Sequence, residues 1–240
     1  MTAALEVKKL RRTGYFPALL GSALLSAAAP AVNMAARGET YLAQSGGAIE
    51  ILLNANWQMM AMLNVLSTLC AACLMFHAEY AENALDKLEV MPVRVFSVYL
   101  GKAVLAVFML AVMTAVEFVS LHLCARHWFG GSVDVARLLS LAGYALAAGI
   151  PTLLASLAVA AACRNMWVSL GIGLTLVFTL SVFPQDNAVI RLLPYATPYT
   201  TPYTTALEGQ VTTVLIACAA ESAVLLSLGP AILKARRRFE

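Results

Sequence analysis

Six stretches of this sequence run long enough to cross a lipid bilayer with hardly a charge inside them. They are residues 13–36, 51–76, 103–125, 138–163, 165–183 and 211–233. A crossing takes about 20 apolar residues, because the hydrocarbon layer is about 30 Å thick and a helix rises about 1.5 Å per residue. A segment in lipid must satisfy its own backbone polar groups, and a helix does so. The composition agrees: 61% of the residues are apolar and 12% are charged, about half the charged share of a soluble domain. The chain therefore reads as an all-α, polytopic membrane protein: one transmembrane domain, 1–240, with six transmembrane helices. The first stretch is too long for the apolar part of a signal peptide, and no clean small-x-small site follows it, so it reads as a span.

Lys and Arg set the orientation. With the N-terminus inside, Lys8, Lys9, Arg11, Arg12, Lys87, Arg94, Lys102, Arg164, Lys234, Arg236, Arg237 and Arg238 fall on the cytoplasmic side. Arg37, Arg126, Arg137 and Arg191 fall outside. Basic residues gather on the side that is not translocated, so both termini are expected in the cytoplasm. Residues 1–12 mix Leu5, Val7 and Leu10 with Glu6, Lys8, Lys9, Arg11 and Arg12. They read as a short basic helix on anionic lipid, with a disordered basic tail as the alternative.

Between the second and third spans lies EYAENALDKLEVMP, residues 79–92. Ala81, Ala84, Leu85, Leu88 and Met91 recur at three and four. Glu79, Glu82, Asn83, Asp86, Lys87 and Glu89 fall on the other side, and Pro92 stops the pattern. This predicts an amphipathic helix over 79–91 whose polar face docks on a soluble partner.

Three local features break the regularity of the spans. Pro30 is expected to kink or end the first one, with a polar loop over 37–50. Span four is rich in Ala and Gly, which lets helices approach closely, and Pro151 interrupts it. Residues 184–210 carry Pro194-Tyr195, Pro198-Tyr199 and Pro202-Tyr203, and with Pro184 these four prolines exclude a continuous helix. This segment is expected to be extracellular or re-entrant, with its tyrosines in the headgroup layer.

The sequence carries none of three common nucleotide-binding or hydrolase signatures, and an intramembrane enzyme is not expected. It holds no GxxxxGK[ST], no HExxH and no GxSxG. Gly130-Gly131-Ser132 reads as a turn. His77, His122 and His127 have no metal-ligand spacing, and His77 and His127 flank spans. Cys70 and Cys73 sit one helical turn apart among apolar neighbours and read as packing residues. No catalytic residue and no metal site is expected. The intramembrane polar candidates are Glu117, His122 and Glu221. An ionisable residue at that depth is a functional hypothesis by default. Counting up from Lys102 and Lys234, both carboxyls lie about 20 Å into the membrane. Two readings stay open for them: fixing helix packing, or serving the substrate path.

Six spans, both ends inside and an acidic amphipathic helix between spans two and three resemble the ABC-2 type permeases. The closest likeness is to the small bacteriocin and lantibiotic immunity permeases. It is carried by HAEYAENALDKLEVMPVRVFSVYLGK, residues 77–102, especially Glu79, Asn83, Leu88, Pro92, Tyr99 and Lys102. The resemblance implies a multi-pass subunit of an exporter in the bacterial cytoplasmic membrane. Its implied partners are two copies of an ATP-binding subunit, a second permease, identical or homologous, membrane lipid and an amphipathic peptide substrate, with no nucleic acid. ATP and Mg would be held by the partner ATPase, and no cofactor by this chain. Residues 1–12 would be the interfacial elbow helix. Glu79, Glu82, Asn83, Asp86, Lys87 and Glu89 would lie on the helix that couples to the ATPase, and residues 184–210 would correspond to broken re-entrant helices. A non-transporting membrane scaffold or sensor, recruiting a cytoplasmic protein through the same helix, is the alternative.

Overall fold

The computed structural model describes residues 2–81, 95–130, 133–182, 190, 192–202 and 211–236. These form seven α-helices: α1 (Thr2–Leu10), α2 (Tyr15–Leu42), α3 (Ala48–Ala81), α4 (Val95–Phe129), α5 (Val135–Ala162), α6 (Met166–Val182) and α7 (Val211–Arg236). A single 3-10 turn, Thr197–Tyr199, lies between α6 and α7. By length and composition α2, α3, α4, α5 and α7 can each cross a membrane. α6, where a further span is expected, is apolar and reaches 17 residues within the described part.

α3 and α5 form the middle of the bundle. α3 packs on α2, α4, α5 and α6, and α5 carries α7 on its other flank. α2 closes over α3 and α4, and α1 lies across α4 and the end of α3. Gly14 makes the sharp corner between α1 and α2 at φ 77°, a backbone geometry with little strain only for glycine. Asp134 caps α5: its side chain accepts from the backbone N–H of Ala136 and Arg137 at 3.0 and 3.1 Å, as a cap of this type should.

The apolar interior divides in two. One cluster gathers Leu52, Trp57, Phe118, Leu121, Tyr144 and Tyr199. The other gathers Leu10, Tyr15, Phe76, Tyr99, Met113 and Leu157. Where they meet, the central helices carry Asn64, Thr68, Thr114, Glu117 and Thr152. A polar layer thus crosses an otherwise apolar bundle at mid-height.

Several boundaries differ from those the sequence suggested. Pro30 is buried inside α2 and does not end it; the irregular backbone comes at Arg37, with φ −138° and ψ 28°. A proline removes only one helical donor, and a membrane helix tolerates this when neighbours cover the freed carbonyl. Most of the loop expected over 37–50 is helical, leaving only residues 43–47 between α2 and α3. Glu79 belongs to the end of α3, which runs unbroken to Ala81. Of the expected 79–91 helix, residues 82–91 lie outside the described residues.

Candidate functional site

Glu6, Lys9, Glu79 and Lys102 meet at one end of the bundle. The Lys102 ammonium lies 2.8 Å from Glu6 Oε2 and 3.1 Å from Glu79 Oε1. It also donates to the Met75 carbonyl at 3.3 Å and sits 5.4 Å from the centre of the Phe76 ring. Lys9 bridges the same two carboxylates at 3.3 Å each. Lys102 and Glu79 are each only 1% exposed. Two cations and two anions cancel, which is what lets them be buried. Burial opposes the charge on Lys9, but the nearby carboxylates of Glu79 and Glu6 outweigh it and hold its ammonium above its ordinary value.

The cluster matters for what it joins. Glu79 is two residues from the end of α3, and Lys102 is in the second turn of α4. These are the two stems of residues 82–94. Glu6 and Lys9 belong to α1. Tyr80 adds a further tie, donating to the Ala161 carbonyl at the end of α5 at 2.7 Å. The N-terminal helix, both stems and the end of α5 are therefore linked as one polar assembly. Glu79 is thus buried by lysines, not displayed on an outward polar face as the sequence suggested. Glu82, Asn83, Asp86, Lys87 and Glu89 lie outside the described residues.

The second polar centre is the mid-height layer. Glu117 is buried on α4, and its Oε2 accepts from Asn64 Nδ2 at 2.8 Å. Beside it α3, α4, α5 and Pro198 enclose a cavity of about 30 Å³, room for a water or two. The roof of this cavity is the segment around Thr197–Tyr199. Trp57 Nε1 donates to the Pro198 carbonyl at 3.1 Å and Gln58 Nε2 to that of Tyr199 at 3.2 Å. Tyr144 and Thr200 bond through their hydroxyls at 2.6 Å, and Thr152 donates to the Pro194 carbonyl. Thr152 lies well inside α5, so this stretch dips into the bundle. Tyr195 and Tyr199 are accordingly buried among helices, not set in a headgroup layer as the sequence suggested. Residues 184–189 and 203–210 of the same expected segment lie outside the described residues.

The remaining sequence candidates stand apart. His122 lines an apolar groove between α4 and α5, with Phe118, Leu139 and Gly143. Glu221 lies on α7 beside Cys218 of its own helix. No hydrogen bond joins it to Glu117 among the described residues.

A family model described as "ABC-2 family transporter protein" matches residues 3–182, three quarters of the chain. The chain belongs to the ABC-2 transporter family. It is a membrane permease component of such a transporter, a multi-pass protein with five candidate spans. Membership carries with it, in general terms, an ATP-binding subunit as partner. The match begins at α1 and ends at the end of α6, so it includes all four members of the charge cluster as well as Glu117 and Asn64. No curated protein matches the permease.

Sequence reasoning found Glu79 and Glu117 and singled out Lys102 for the family resemblance, but it did not place Glu6, Lys9 or Asn64 in a site. It counts Lys102 among the cytoplasmic charges and gives it no partner. The neighbours of this lysine, Tyr99, Ala103 and Ala106, are all buried, and a lysine on so apolar a face is a sign of a buried partner.

Proposed function

We propose that this permease is the membrane subunit of an ATP-driven exporter in a bacterial cytoplasmic membrane, and that its charge cluster transmits the stroke of the ATPase. Both termini and residues 82–94 face the cytoplasm in this reading. Residues 79–91 present Glu82, Asn83, Asp86, Lys87 and Glu89 to a separate ATP-binding subunit. Two copies of that subunit, holding ATP and Mg, serve a pair of permeases, identical or homologous. The exported compound is an amphipathic peptide of the bacteriocin or lantibiotic kind, taken from the lipid.

One observation carries the reading: both stems of residues 82–94 are clamped by buried ion pairs to α1. A displacement of the segment between the stems cannot be absorbed at its roots, because parting the charges in a low dielectric is strongly unfavourable. α3 and α4 must follow, and α1 with them. Rigid-body movement of packed helices is a standard way for a local event to change access to a distant cavity.

The reading is tested by the double substitution Glu82→Lys, Asp86→Lys. Co-purification of the ATP-binding subunit should fall by about tenfold, roughly 1.4 kcal/mol of docking free energy, with unchanged membrane abundance. Undiminished co-purification and full resistance to the exported peptide would contradict it.

A further inference from the structure

Glu117 lacks what the other buried carboxylates have. Glu6 and Glu79 share Lys9 and Lys102. The polar neighbours of Glu117 are Asn64 of α3 and Ser26 of α2, neither of them a cation. The cavity beside it is walled by α3, α4, α5 and Pro198 and contains no second ionisable group. On the other elements packed against α4, Glu221 of α7 adjoins Cys218, and Lys9 of α1 is engaged with Glu6 and Glu79. His122 of α4 itself faces the groove toward α5.

Two residues on the cavity wall each bury an oxygen without a hydrogen-bond partner among the described residues, Glu117 Oε1 and Asn64 Oδ1, and the Ser26 hydroxyl lies beside the Glu117 carboxyl, outside the cavity lining. Buried polar atoms are nearly always satisfied, so orphans point to something that fills the gap. A carboxylate, an amide carbonyl and a hydroxyl are hard oxygen donors of the type that hard cations take. The adjoining space of about 30 Å³ admits a water-sized particle.

We propose that Ser26, Asn64 and Glu117 form a binding site for one small monovalent cation, a proton or an alkali ion such as sodium. Asn64 of α3 and Glu117 of α4 face the cavity, and Ser26 of α2 supports the carboxylate from beside it. Its occupant neutralises the polar layer and holds the three helices together between the two apolar clusters. This goes beyond the transport reading and does not depend on it, since the site is complete within one chain.

The test uses the purified full chain in detergent. The thermal midpoint is compared in sodium and in choline at equal ionic strength, together with the infrared carboxyl stretch at neutral pH. If the occupant is sodium, the midpoint rises by about 3 °C or more in sodium. Glu117→Gln abolishes that rise, and Ser26→Ala, which keeps the carboxylate, moves its midpoint to higher sodium. If the occupant is a proton, sodium has no effect, and a protonated-carboxyl band is present in the wild type and missing in Glu117→Gln. Should Glu117→Gln fail to fold, Ser26→Ala alone decides, by weakening the sodium response or by shifting that band. A wild type with neither response overturns the proposal, and so does a sodium response that both variants retain in full without a change in the band.

Discussion

Lys102 Nζ stands 2.8 Å from Glu6 Oε2 across 96 residues of chain. This contact makes the N-terminal helix part of the machinery around residues 82–94. It also makes a sharp statement about stability, because buried ion pairs are weak stabilisers when intact and strong destabilisers when half removed.

Lys102→Met should therefore destabilise the protein by about 3–5 kcal/mol, since it strands Glu6 and Glu79 with only the half-exposed Lys9 between them. Adding Glu6→Gln and Glu79→Gln should recover most of the loss, because the one charge then left, on Lys9, is half-exposed and can reach water. Denaturation of the purified variants checks this. A triple variant less stable than Lys102→Met alone would contradict the electrostatic account.

The stretch over residues 192–202 should loosen when its side-chain ties are cut. Trp57→Phe leaves the Pro198 carbonyl without its indole donor, and Tyr144→Phe removes the phenol from the Thr200 hydroxyl, which keeps its own bond to the Thr197 carbonyl. A buried acceptor stripped of its donor costs about 1–3 kcal/mol. A cysteine at Ala196, wholly buried in the intact protein, should react with a thiol reagent at least about tenfold faster in the double variant. That factor corresponds to about 1.4 kcal/mol of opening. Equal rates would mean that these bonds do not hold the turn.

Helix contacts through glycine give a third check. A Cβ at Gly229 of α7 would collide with the ring of Tyr99 on α4. Gly229→Ala should cost about 1–3 kcal/mol by overpacking. Trimming the ring with Tyr99→Leu should reduce that cost, since the two residues share one contact. Purely additive effects would reject the contact.

The sequence made the membrane helices legible because 20-residue apolar runs have few other physical outcomes. It made Glu117 legible because a carboxyl inside such a run has to be explained. Helix ends were less visible. Residues 37–42 look like a loop by polarity, yet they continue α2 past the irregular backbone at Arg37. The charge cluster was least visible. Glu6 and Lys9 are separated from Glu79 by at least 70 residues, and no local period announces a pairing over that distance. Glu79 also fitted an amphipathic pattern as an outward residue, and only the packing of α1 shows it to be inward. The dip of residues 192–202 into the bundle was hidden for a related reason. Four prolines over 184–210 exclude a continuous helix, but burial came from donors on α3 and α5 that the segment itself does not reveal.

The central claim is that buried ion pairs carry motion from residues 82–94 into the spans. The most direct measurement is the number of substrate molecules moved per ATP hydrolysed, by permease and ATP-binding subunit reconstituted together in liposomes. The variant to use is Lys102→Gln, Glu6→Gln, Glu79→Gln, which removes the clamp and leaves only the half-exposed Lys9 charged. The account predicts normal recruitment of the ATPase and continued hydrolysis, with the ratio reduced about tenfold or more, equivalent to about 1.4 kcal/mol of lost coupling. A ratio equal to that of the wild type would contradict it.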